Sequence, residues 1–106
     1  MKIFEYTLLT GGDMSGDIAG VPQQLTFMVC ACIQAVFTGS PVGTLKLQIS
    51  NDNITYTDYT GSSSTVSGAG NFAWVLTDIG YPWVQVIYTP LSGSGSLNIT
   101  VNGKGF

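Results

Sequence analysis

Apolar and polar residues alternate with a period of two along most of this chain, and the pattern is densest at residues 25–37, LTFMVCACIQAVF. The alternation puts Leu25, Phe27, Val29, Ala31, Ile33, Ala35 and Phe37 on one side and Thr26, Met28, Cys30, Cys32, Gln34, Val36 and Thr38 on the other, which is strand geometry rather than helix. The first set predicts a core face. The second, with Met28, Cys30, Cys32 and Val36, is too apolar for a face that meets only water. It is expected to be covered in one of two ways. Together with Trp83 and Ile87 of a neighbouring strand it could form a contact between subunits, or a loop or the N-terminal segment could lie over it.

The same period recurs elsewhere. IFEYTLL (3–9) reads as a first strand at a sheet edge. TGGDMSGDIAGVPQQ (10–24) is rich in turn formers and predicts an irregular segment, with at most a short strand around Asp17–Ala19. TLKLQIS (44–50) places Leu45, Leu47 and Ile49 inward and Lys46 and Gln48 outward. Across the turn Ser50-Asn51-Asp52-Asn53, ITYTDY (54–59) is expected to return as a hairpin. GSSSTVSGAGN (61–71) predicts a loop with a short extended piece at 65–67. FAWVLT (72–77) predicts a strand with Phe72, Trp74 and Leu76 on its core face. After a turn at 77–80, residues 81–89 form a strand with Pro82 near its start and Val84, Val86 and Tyr88 sharing a face. SLNITVN (96–102) ends the pattern with Leu97, Ile99 and Val101 inward.

Residues 37–51 and 88–102 echo one another: each is an aromatic-Thr pair, a loop of Gly, Ser and Pro, and an alternating strand. Both are expected to be hairpins, forming two similar antiparallel units that face each other. Seven to eight short strands with frequent turns and no helical period predict an all-β, two-layer antiparallel sandwich of jelly-roll type. Residues 1–106 would make one domain, with residues 1–24 packed on it.

Composition narrows the function. Of the 106 residues 44% are hydrophobic and 8% charged, enough apolar surface for a core. Three Lys, no Arg and a net charge of −3 leave no basic patch for nucleic acid. No apolar run approaches the roughly 18 residues that cross a bilayer, and the start MKIFEYTLLTGGD lacks a secretory pattern, so neither a membrane nor ordinary export is expected.

Candidate chemistry is sparse. Without His, Ser-His-Asp and Cys-His nucleophilic arrangements are excluded, and no enzyme activity or cofactor is expected. Glu5, Asp13, Asp17, Asp52, Asp58 and Asp78 sit in turns or on exposed strand sides, without calcium-loop spacing. Cys30 and Cys32 lie two apart on one strand, where extended geometry holds the α-carbons about 6.5–7 Å apart with parallel side chains, so free thiols are expected; C-x-C without further ligands is no zinc site. Tyr56, Tyr59, Tyr81 and Trp83 could form a sugar-stacking platform or serve the core.

Several runs carry a resemblance: SGDI (15–18), FTGSPVGTLKLQISND (37–52), TYTD (55–58), DIGYPWVQVIYT (78–89) and SGSGSLNITVNGK (92–104). With S-N-D, G-Y and S-G-x-G as fixed points, the chain resembles small β-sandwich auxiliary capsid, cement or decoration proteins of tailed bacteriophages. Tyr56 stands where such proteins commonly carry Trp, and Gln85 near where they carry Arg. The resemblance implies a structural virion protein, assembled in the host bacterial cytoplasm, that binds the major capsid protein or other virion proteins as a symmetric homo-oligomer. A tail, adaptor or fibre component is the alternative. A weaker likeness to discoidin-type sandwiches implies a host-glycan module.

Overall fold

The computed structural model describes residues 2–18, 22–77 and 79–105. The alternating segments form β1 (Lys2–Asp13), β2 (Gln23–Gln24), β3 (Met28–Gly39), β4 (Val42–Ser50), β5 (Thr57–Asp58), β6 (Ser64–Ser67), β7 (Gly70–Leu76), β8 (Trp83–Ser92) and β9 (Gly95–Gly105). They make two antiparallel sheets, one ordered β1-β9-β3-β7 and the other β2-β8-β4-β5, with β6 also paired to β4. The pairs β1 with β9, β2 with β8, β3 with β7 and β4 with β5 and β6 are nested along the chain. The path is that of one long hairpin rolled up until β3 also meets β9 and β4 meets β8. This is the expected jelly-roll sandwich.

Because successive side chains in a strand face opposite ways, each sheet contributes one face to the core. Ile33, Ala35, Leu97, Ile99 and Val101 from the first sheet meet Leu45, Leu47, Val84, Val86 and Tyr88 from the second, all fully buried. Trp74 and Leu76 close one side, and the Trp74 indole N–H donates to the Ser62 carbonyl at 2.8 Å. Buried Ser62 in turn exchanges hydrogen bonds with the backbone of Leu47, which pins the chain between β5 and β6 to β4. Phe72 is partly buried, its ring edge-on to Trp74 at 5.1 Å.

Three expectations change. Residues 25–37 are not one strand: a turn closed by the Met28 N–H donating to the Leu25 carbonyl precedes β3, and a bulge falls between Met28 and Cys30. The extra residue reverses the alternation, so Met28 is buried at 6% exposure while Phe27 and Val29 are exposed. Gly103 explains the direction Met28 takes, since an added Cβ there would collide with the Met28 sulfur. Residues 37–51 and 88–102 are not hairpins, because β3 and β4 lie in different sheets, as do β8 and β9. The returning strand at 54–59 shrinks to Thr57–Asp58, because residues 51–55 are held in the turn. In the Gly-rich segment after β1, Met14 is fully buried and Ile18 exchanges backbone hydrogen bonds with Tyr88. Ala19, the end of the short strand expected there, and Asp78 lie outside the described residues.

The two echoed segments are β-arches that cross between the sheets side by side. Gly39 pairs with Gly95, and the Ser40 N–H donates to the Ser94 carbonyl at 2.9 Å. Gly39 (φ 90°) and Gly93 (φ 78°) adopt left-handed conformations that residues with a Cβ rarely take. A Cβ on Gly95 would strike the Thr38 carbonyl oxygen. Gly95→Ala is therefore expected to cost about 3 kcal/mol or more. Gly16→Ala, at an open position, should change stability by less than about 1 kcal/mol. Urea unfolding of the two variants checks this, and equal midpoints would show that the arches do not need the close approach.

Candidate interaction surfaces

With both inner faces consumed by the core, binding chemistry is left to the outer faces, the turns and the sheet edges. The outer face of the β1-β9-β3-β7 sheet is built from neighbouring strands in register. Cys30, Lys104 and Ile3 form one row; Val75, Cys32, Asn102 and Glu5 form the next. Ile3 and Val75 are 66% and 73% exposed, Cys30 and Cys32 half-buried. They border a shallow, mostly apolar depression of about 260 Å³ with Asn102 and Lys104 at its rim. Val36 lies farther along the same face, exposed. Both cysteines are free thiols, as expected.

The other outer face differs. Trp83, Gln85 and Ile87 of β8 lie beside Ser50, Gln48 and Lys46 of β4. The Gln85 amide donates to Gln48 and the Gln48 amide to Asp58, both at 2.8 Å, and Lys46 pairs with Asp58 at 3.2 Å. Those polar groups are satisfied laterally, with half-buried Trp83 and Ile87 set among them.

The six expected interface residues are thus divided. Cys30, Cys32 and Val36 share one outer face, Trp83 and Ile87 belong to the opposite sheet, and Met28 is in the core. What sequence reasoning missed is the exposed apolar contribution of Ile3 and Val75 and the protruding Phe27, 77% exposed at φ 71°. A signal for the last was present in Gly103-Lys104-Gly105. Glycines inside a strand mark close backbone approach, and a Cβ on Gly105 would strike the Phe27 carbonyl oxygen.

The aromatic residues weighed as a sugar platform do not lie flat. Tyr59 and Tyr81 meet edge to face, with centroids 6.0 Å apart at 88°, and both pack against the core. Burial, then the adjoining Tyr59, pushes the Tyr81 hydroxyl up to about 12. Tyr56 instead donates to Asn53 at 2.6 Å across its turn.

Asp13 and Asp52 serve turns, and Asp58 pairs across to β4. The Asp52 carboxylate accepts from the backbone N–H groups of Thr55 and Ile54 and from the Ser50 hydroxyl, each at 2.9 Å, which holds its pKa below the ordinary value. Asp13 is lowered likewise by the N–H and hydroxyl of Ser15, and Asp58 by Gln48 and then Lys46. These oxygens are already engaged in hydrogen bonds. Among the described residues no group of three or more potential ligands could hold a metal ion.

The fold is that of a small jelly-roll sandwich with two unlike outer faces. No family model and no curated protein matches the sequence. Among solved structures the chain is similar to the SPBc2 prophage-derived protein YomS, with a TM-score of 0.65 and 13% identity over 96% of this chain and 94% of that one. It is similar also to the PBSX exported protein XepA, with a TM-score of 0.63 and 14% identity over 97% of this chain and 37% of that one. A chain in the structure of infectious bursal disease virus Gx strain gives 0.58 and 8% over 95% and 31%. This chain therefore spans about a third of the latter two. The likeness to phage sandwich proteins read from strand and turn motifs is matched at the level of the fold.

Met28→Glu buries an unpaired carboxylate and is expected to cost about 3 kcal/mol or more, whereas Cys30→Glu, on the outer face, should melt within a few degrees of the parent by circular dichroism. Asp52 is held below its unfolded value of 3.8. The stability it contributes is therefore complete above about pH 5 and is lost as the pH falls through the lowered folded value. Asp52→Asn should accordingly flatten the acid limb of stability against pH, measured by urea midpoints between pH 5 and 2.

Proposed function

We propose that this protein is a non-enzymatic structural component of a bacteriophage particle, acting as a capsid decoration or cement protein that bridges neighbouring major capsid subunits. The observation that carries this reading is the fold shared over nearly the whole length of both chains with a prophage-derived protein. The surface suits the role. With three Lys, no Arg and six acidic residues, few charges must leave water when large areas are covered. The β4–β8 outer face offers an aromatic and an aliphatic side chain among amides that already have partners, the mix of apolar contact and satisfied polar groups found in protein interfaces.

Cementing works by linkage: a ligand that binds the assembled shell and not its dissociated parts stabilises the shell in proportion to occupancy. Particles carrying the protein should release their genome at a higher temperature than particles lacking it, and purified particles should contain it in hundreds of copies. Equal release temperatures would exclude cementing. A count of six or twelve would move the protein to a tail or portal vertex.

A further inference from the structure

The Ile3 to Cys32 region of the first sheet's outer face has a property that neither its apolar character nor its exposure alone would give. It carries one acidic and one basic side chain, Glu5 on β1 and Lys104 on β9, in adjacent rows and on adjacent strands. Both are exposed, and neither forms an ion pair with a described residue. A surface that binds a second copy of itself about a two-fold axis must be self-complementary: whatever lies on one side of the axis has to match what lies on the other.

The register allows the axis to be placed. With strands about 4.8 Å apart and outward-facing residues of one strand about 6.8 Å apart, the line from Ile3 to Cys32 crosses the Glu5–Lys104 diagonal at nearly a right angle, within about 2 Å of its midpoint. A two-fold axis along that line, in the plane between two stacked faces, sets Glu5 of each copy over Lys104 of the other. Ile3 meets its own mate, and so does Cys32. Val75 falls to one side of the axis, where it covers the neighbouring apolar surface. Cys30 lies off the axis, roughly 11 Å laterally from its mate on the same geometry.

We propose that this face is a two-fold self-association surface, with two reciprocal Glu5–Lys104 ion pairs flanking an apolar seam of Ile3, Cys32 and Val75. The ion pairs offset the repulsion that two chains of net charge −3 feel elsewhere. The inference is independent of the virion role, since it concerns the isolated protein.

Light scattering on the purified reduced protein at about 100 µM should give twice the 11.2 kDa mass of one chain. Glu5→Lys and Lys104→Glu, both at exposed positions, should each weaken the dimer about tenfold or more by turning two attractions into two repulsions, and the double swap should restore it. A short bismaleimide should cross-link Cys30→Ser, which keeps Cys32, and fail to cross-link Cys32→Ser. Circular dichroism establishes that each variant is folded. A monomer at this concentration, a dimer indifferent to the charge swaps, or cross-linking through Cys30 as efficient as through Cys32 would overturn the proposal.

Discussion

The constraint on which this structure depends is the contact of backbone with backbone where two of the chain's crossings between its sheets lie side by side. The β3–β4 and β8–β9 arches lie side by side, with Gly39 against Gly95 and Gly93 against Ser40. No side chain fits between them. Their proximity makes β3 the neighbour of β9 in one sheet and β4 the neighbour of β8 in the other. Those four strands supply most of the fully buried side chains, so the core can be assembled only if the arches close. Strand pairing of this kind joins segments distant in sequence, and its loop-closure cost must be met before the apolar faces come together.

Rolling up one long hairpin also decides which surface is left for binding. Each sheet spends one face on the core, and the remaining two acquire different chemistry. On the β4–β8 face amides and an ion pair satisfy one another laterally. On the β9–β3 face half-buried thiols lie beside the exposed aliphatic side chains of Ile3 and Val75. Two unlike faces on opposite sides of a thin sandwich can meet different partners without competing. The Ser50–Asp52 turn, one fixed point of the likeness to phage proteins, is explained locally. Its carboxylate and hydroxyl together satisfy the backbone N–H groups from Asp52 to Thr55, so the turn keeps its shape without help from the core.

Much of the sandwich was legible in the alternation. Leu45 and Leu47, Val84, Val86 and Tyr88, and Leu97, Ile99 and Val101 face the core as their period requires. Period two is a local property, set by the pleat of each strand, and it survives whatever that strand pairs with. The same rule misplaced Phe27, Met28 and Val29, because a single bulge reverses the phase and its cause lies some seventy-five residues away in Gly103 and Gly105. Met14 was hidden for a similar reason. Nothing in a segment of Gly, Asp and Ser shows that Met14 will reach the core.

The sequence by itself therefore determined the class of fold, the inward sets of the regular strands, the absence of His-based chemistry and the self-contained Asp52 turn, since each rests on residue type or on neighbours a few positions apart. Only the tertiary structure decided which strands share a sheet, that the echoed segments are arches rather than hairpins, and that the expected interface residues fall on two opposite faces with Met28 inside. Those outcomes follow from which backbones come close enough to pair, and that is fixed by contacts between residues far apart along the chain.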